Sequence, residues 1–447
     1  MKPAAIMGPA ALAVFVGCAA AFAASDAVLI RNADVYPVTG AEIKGVSLLI
    51  EDGKIADIGA KIVAPKGARI VEAKGLRVYP GMIDSGTELG LNEISSERVT
   101  VDTNEIGEFL PQLKALIAVN PDSATFAATR VNGITSAMTY PGAGRGGGGG
   151  GRGGAAAQFI SGEAALIHLA GWTWEEMEIH RSAAMQLNFP SIGGRGGRGG
   201  EAEFPAAGRG PATFTEARRQ YDEQIQKIND FFDAARQYQK ERAANAPGFK
   251  KDLKMEAMLP VLEQKEPVAI SASRERSIRD AIAFAEKQHI KAVIVQPREL
   301  DKVAAELKSH NIPVILGRTE ALSENEDDPY DKEMTLPSEA YKAGLKFAFG
   351  TFSNEWTRNL PYNAARAVAF GLPYEEALKA ITINPAEIWG AASETGSIEK
   401  GKWADLIITD GDPLEVPTQI KGLYIKGKEI ELTNRQIELY HRYMARP

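Results

Sequence analysis

Cysteine is all but missing from this chain: Cys18 is the only one, and it sits in an apolar N-terminal stretch. Lys2 gives a minimal positive start, Ala10 to Ala20 an apolar run, and Ala21-Phe22-Ala23 a small-x-small cleavage pattern before Ala24. This predicts an export signal over residues 1–23 and a periplasmic or secreted product. Cleavage there removes the one thiol and excludes disulfides, thiolate–metal sites and cysteine nucleophiles. A second processing mode stays open, since Phe15-Val16-Gly17-Cys18 has the outline of a lipobox that would leave the protein lipid-anchored through Cys18. Long apolar runs are absent downstream; none approaches the ~20 residues of a helical membrane span. An excess of positive charge is absent too. The net charge of −7 gives no general reason to expect nucleic acid as a partner.

What is present is ordinary soluble-protein material, 44% apolar and 24% charged over 447 residues, enough for a large barrel plus a smaller domain. Val46 to Glu51 and Lys54 to Ile58 read as strands around the two-residue turn Asp52-Gly53. Ile70, Val71, Leu76, Val78 and Tyr79 continue in short extended pieces. The C-terminus has the same character, with Ala404 to Thr409, Leu423 to Ile425 and Glu429 to Glu431, the last two flanking Gly427-Lys428. Neither end has enough strands for a stable layer, so one β-sandwich domain built from both termini is expected.

From about Pro267 onward, short apolar strands alternate with helical patterns. Pro267 to Ile270 precedes Ile278, Ala281, Ile282 and Ala285 at helical spacing. Ala292 to Val295 precedes Leu300, Val303, Ala304 and Leu307, and Pro313 to Leu316 and Lys346 to Phe349 follow. Such alternation predicts an α/β fold with a parallel sheet, and at this length a (β/α)8 TIM-like barrel. An open doubly wound sheet is the alternative, but no Gly-rich dinucleotide fingerprint opens a βα turn. Glycine–arginine tracts at 141–154 and 193–210 interrupt the middle and read as flexible loop insertions rather than RNA-binding segments. Thr213-x-x-Glu216 then forms a capping box for a helix with Phe214, Tyr221, Ile225, Ile228, Phe232 and Ala235 on one face.

Pro80-Gly81-Met82-Ile83-Asp84 resembles the opening of the first barrel strand in the amidohydrolase superfamily, where Pro-Gly-x-Ile-Asp-x-His-x-His runs. Ile160-Ser161-Gly162 with Gly171-Trp172-Thr173-Trp174-Glu175-Glu176-Met177 is similar to secreted, imidazolonepropionase-like members. So are Ala377 to Ala386 and Gly396 to Leu406. These anchors span nearly the whole chain beyond residue 23. The resemblance implies a barrel over residues 81–384 and a composite β-sandwich domain from 24–80 and 385–447.

The family's chemistry needs imidazoles and carboxylates at strand ends, holding an ion such as Zn²⁺ that lowers the pKa of bound water to ~7. This chain has other residues there. Gly86-Thr87-Glu88 stands for His-x-His, and Ser271-Ala272-Ser273 closes the fifth strand where a histidine is expected. Gln296 follows the sixth strand in place of another histidine, and Phe352 takes the place of the aspartate in a Gly-Thr-Asp-Ser pattern. Gly has no side chain, Phe is apolar, and Ser and Gln are weak neutral ligands. The expectation is therefore no cofactor, with one divalent metal such as zinc as the alternative, and Gly86, Glu88, Ser271, Ser273, Gln296 and Phe352 lining a binding pocket.

Only five histidines exist: His168, His180, His289, His310 and His441. His289 and His310 end helices before strands, on the stability face of a barrel. His168 and His180 flank the Trp172/Trp174 loop within reach of the mouth, although surface or core roles suit them better. Glu88 is a candidate general base, or else a charge satisfied at the barrel mouth. Asp84 reads as structural. A serine triad through Ser271 or Ser273 lacks a histidine. The leading expectation is a metal-free, non-catalytic or altered homologue that binds a small ligand or a hydrolase partner, either a catalytic amidohydrolase or a copy of itself. The rival is an active hydrolase of C–N bonds using Glu88. The Phe214–Ala235 helix and the Trp172/Trp174 loop are the candidate contact surfaces, although packing within the chain suits each of them better.

Overall fold

The computed structural model describes residues 27–142, 158–192, 213–245, 248–323 and 327–446. Cys18, the export reading and nearly all of the glycine–arginine tracts lie outside the described residues.

Five strands open the described chain: β1 (Val28–Val35), β2 (Ile43–Glu51), β3 (Lys54–Gly59), β4 (Arg69–Glu72) and β5 (Arg77–Pro80). Eight more follow: β6 (Met82–Thr87), β7 (Ile134–Thr139), β8 (Ile160–His168), β9 (Glu178–Asn188), β10 (Val268–Ser271), β11 (Ala292–Val295), β12 (Val314–Leu316) and β13 (Phe347–Phe349). The last three are β14 (Leu406–Thr409), β15 (Ile420–Ile425) and β16 (Lys428–Glu429).

The first five and last three form one sheet in the order β16-β15-β14-β5-β1-β2-β3, with β4 also beside β1. The termini are zipped together where β14 pairs antiparallel with β5, Leu406 opposite Pro80. Period-two alternation puts Ile30, Leu48, Ile50, Val78, Leu406 and Tyr424 into one buried apolar cluster. Asp52 (φ 50°) and Gly53 (φ 77°) both adopt positive φ, the geometry of a type I′ hairpin turn. The C-terminal hairpin turns at Lys426-Gly427, one residue earlier than the sequence suggested. Gly53 is required for a second reason: a Cβ there would stand 2.7 Å from the Lys426 carbonyl oxygen, because the two hairpin tips abut.

Strands β6 to β13 form the second sheet, in chain order. It curls until its edges meet, with the Phe352 amide just beyond β13 donating to the Gly86 carbonyl of β6 at 2.7 Å. Strands β9 to β13 are parallel, as are β6 and β7, whereas β8 runs antiparallel to both neighbours. This departs from strict (β/α)8 alternation. Only residues 169–177 join β8 to β9, with one helical turn at Trp174–Met177; a parallel neighbour needs a crossover of a dozen or more residues, so a hairpin forms. The barrel lumen is apolar, filled by Ile83, Met138, Leu166, Val293, Val295 and Ile315 among others. Helix Glu275–Lys287 buries Ile278, Ala281, Ile282 and Ala285 against the outer wall, as its periodicity predicts.

Helix Phe214–Ala243 carries the Thr213/Glu216 capping box and buries Tyr221, Ile228, Phe232 and Ala235. Phe214 does not join that face; in the first turn it projects into solvent. Among the described residues no helix is long and apolar enough to cross a membrane.

Candidate functional site

The C-terminal ends of the parallel strands define one mouth, and the positions singled out in the sequence stand at or just beyond those ends. Gly86 lies in β6, with Glu88 one residue past its end; Ser271 ends β10; Gln296 follows β11; Phe352 comes three residues after β13.

Gly86 and Phe352 are in direct steric correspondence. A Cβ at Gly86 would stand 2.5 Å from Phe352 Cε1, and one at Gly350 would stand 2.8 Å from its Cε2. The ring is wedged between two glycines, one in β6 and one just after β13. Phe352 itself has φ 48°, a region that bulky residues rarely adopt, so the surroundings hold it there. Tyr140 lies on the ring's far side (centroids 6.2 Å apart) and meets Trp389 edge-on at 6.1 Å. Trp389 in turn donates from Nε1 to Ser85 Oγ at 3.3 Å. Tyr140 and Trp389 carry no local signal in the sequence, because their contacts join distant segments.

Both carboxyl oxygens of Asp84 are engaged within the protein. Its Oδ1 accepts from the Gly86 amide (3.0 Å) and the Thr351 amide (3.1 Å), and its Oδ2 accepts from the Thr351 hydroxyl (2.7 Å). The carboxyl thus bonds the first strand to the segment after the last. Complete burial, offset in part by the bonds from Thr351 and Gly86, raises its pKa from 3.8 to about 7.

A polar arc crosses the same mouth. Gln186 Nε2 donates to Ser271 Oγ (2.8 Å) and Asn188 Oδ1 (3.1 Å), and Asn188 Nδ2 donates to Ser161 Oγ (2.8 Å). Gln186 Oε1 and the Tyr140 hydroxyl are both buried without a hydrogen-bond partner in the protein. Burial, and secondarily the charge of Asp84, pushes the Tyr140 hydroxyl well above its ordinary value, so it stays protonated. Glu88 is half-buried and accepts from Asn92 Nδ2 at 2.8 Å. The Ser273 carbonyl takes the Glu299 amide at 3.0 Å, and the Gln296 amide, on a residue with φ 56°, donates to the Ile315 carbonyl at 2.8 Å. Gln186 and Asn188 escaped the sequence reading because β8 and β9 did. The apolar run Ala164 to Ile167 was the available signal for them.

No histidine joins this mouth. His168 ends the reversed strand β8 and so lies buried at the opposite end, its Nδ1 3.4 Å from Ser136 Oγ and 3.7 Å from Asp405 Oδ2. Burial lowers its pKa, and the nearby Asp405 raises it only in part, which favours the neutral ring. His180, His289 and His310 line a depression of about 710 Å³ at that same end. The surface or core roles that suited His168 and His180 in the sequence are the ones they take, since reversal of β8 carries both to the face opposite the mouth. Among the described residues no three or more His, Cys, Asp or Glu side chains gather as a metal site. The mouth residues do not fit a divalent ion: a glycine, an aromatic ring, a serine and a glutamine leave Glu88 as the one carboxylate at the replaced positions, and Glu88 already accepts from Asn92.

Comparison with known proteins agrees with this architecture. The model of the amidohydrolase family matches residues 210–430. An amidohydrolase of Thermotoga maritima MSB8 superposes with a TM-score of 0.74 at 27% identity, covering 91% of this chain and 100% of that one. Amidohydrolase tasK of Hapsidospora irregularis is 25% identical over 448 residues, 89% of this chain but 42% of its own length. The chain thus spans less than half of that relative. The imidazolonepropionase of Sphingopyxis alaskensis is 47% identical over a shorter stretch of 55 residues, 12% of this chain and 14% of that protein.

Proposed function

Because this chain belongs to the amidohydrolase superfamily while an aromatic ring stands in its barrel mouth, we propose that it is a metal-free homologue that binds a small polar ligand instead of hydrolysing one. The observation that carries this reading is the Phe352 ring wedged against Gly86 and Gly350, with no group of three His, Cys, Asp or Glu side chains gathered as a metal site among the described residues. Support for a ligand comes from the buried Gln186 Oε1, an acceptor with no partner. An unsatisfied buried acceptor costs about 1–3 kcal/mol, which an N–H of a bound molecule would recover. The reading includes export, resting on the pattern in residues 1–23. It also includes association with a catalytic relative or a second copy through the loop that carries the exposed Trp172.

Hydantoin, a cyclic amide with two N–H donors, is a suitable probe. It is expected to bind as detected by saturation-transfer NMR, to lose that signal in Gln186→Leu, and to remain unhydrolysed with or without added zinc. Turnover abolished by Glu88→Gln would instead establish a rearranged hydrolase. Tyr140→Phe removes a buried hydroxyl that has no partner, so it should leave stability unchanged or raise it by about 1 kcal/mol in thermal unfolding.

A further inference from the structure

A second polar cluster lies away from the mouth, where β8 and β9 meet the segment before β10. Lys114 Nζ pairs with Glu163 Oε2 at 2.6 Å and donates to Ser182 Oγ at 3.2 Å, while Ser182 Oγ donates to the same Glu163 oxygen. Beside them stands Glu266, only 4% exposed. Its Oε1 is buried without a hydrogen-bond partner, and so is Gln112 Oε1. Both residues line a cavity of about 560 Å³ that is walled by Ala257 and Pro260 and reaches the exposed Leu253.

The charges around this cavity are matched except for one. Lys114 is answered by Glu163. Glu256 takes Arg242 at 3.2 Å and the Tyr238 hydroxyl at 2.6 Å, and Lys265 pairs with Glu263 at 2.7 Å. Glu266 alone has no cation. Two unpartnered acceptor oxygens on residues lining one cavity, one of them on an acid with no ion pair, call for a ligand that donates several hydrogen bonds and carries positive charge. The apolar Ala257 and Pro260 call for a short hydrocarbon stem behind that head.

We propose that this cavity binds a primary alkylammonium group, its head donating to Glu266 Oε1 and Gln112 Oε1 and its aliphatic stem lying along Ala257, Pro260 and Leu253. The site is separate from the barrel mouth, and the proposal stands whichever way the reading of the mouth is decided. Proton bookkeeping follows from the surroundings. Burial first, and then the negative charge of Glu163, raises the Glu266 pKa from 4.5 to about 8, against the lowering effect of Lys114. Without ligand, Glu266 therefore holds its proton at pH 7. An ammonium ion stabilises the carboxylate, so binding releases that proton to solvent, close to one per ligand.

The test is calorimetric titration of the full chain with n-butylammonium chloride at pH 7, in buffers of different ionisation enthalpy. We expect one site, release of close to one proton, and about tenfold or greater weakening in Glu266→Gln. Gln112→Met should weaken binding while leaving the proton release in place. Glu266→Gln relieves the burial of an ionisable group and should unfold no earlier than the parent at pH 8; should it fail to fold, Gln112→Met decides. No detectable binding, undiminished binding in either variant, or equal binding of neutral butanamide would overturn the proposal. So would calcium displacing n-butylammonium at equal concentration, which would reassign the oxygens to a metal.

Discussion

Gly86→Ala is expected to destabilise the protein by about 3 kcal/mol in denaturant unfolding, although a glycine-to-alanine change at ordinary φ usually stabilises slightly. The added methyl would lie 2.5 Å from the Phe352 ring, which is itself confined by Gly350 on its other side. Rings wedged between two strands cannot step aside as a lysine tip can, so β6 or the segment after β13 must move. The same substitution in a Phe352→Ala background should cost under about 1 kcal/mol, giving a coupling energy of roughly 2 kcal/mol between two residues distant in sequence. Additive effects of the two changes would show that the ring does not occupy the space a side chain at position 86 would need.

Asp84→Ala should cost about 4 kcal/mol, because it strands two backbone amides and a hydroxyl inside the protein at the point where the barrel closes. Asp84→Asn keeps an acceptor for the amides and should cost about 1 kcal/mol at neutral pH. The two are also separated by pH. The folded-state pKa of Asp84, about 7, lies above the ordinary 3.8, so the native state binds the extra proton. The contribution of this group is full below about pH 4 and declines as pH rises through 7. Urea melts of the parent should therefore lose stability over that window, on the order of 4 kcal/mol from this group, and Asp84→Asn should remove that part of the slope. An unchanged slope in Asp84→Asn would show that Asp84 is ionised throughout.

The parts of the fold legible in the sequence were those encoded locally. Asp52-Gly53 demands positive φ at two successive positions, and the alternation through Leu48 and Ile50 names the buried face. From Pro267 onward, short β-branched runs separated by helical periodicity announce parallel strands one at a time. The mouth was legible through motif register: Gly86, Ser271, Gln296 and Phe352 were placed at strand ends, and the structure sets them at one end of the barrel. Direction was not legible in Ile160–His168, since an apolar strand reads alike whichever way it runs; only the short link to Glu178 dictates reversal. That reversal carried His168 away from the mouth. Gly86 read as a lost ligand, but its fit to the Phe352 ring is a tertiary fact that no local pattern carries. No local pattern marks Glu266, and only the packing of β8, β9 and helix Leu253–Leu262 around it creates the cavity.

We propose that the barrel mouth holds no metal because Phe352 and Gly86 stand where ligands would be needed. This is tested most directly by inductively coupled plasma mass spectrometry of the full chain, purified without chelator, incubated with excess zinc and passed through a desalting column. The account predicts well under one equivalent of zinc, iron or manganese per chain, unchanged by Glu88→Gln. One equivalent or more, retained through the column and lost in Glu88→Gln, would contradict it and make this chain a metallohydrolase with a rearranged ligand set.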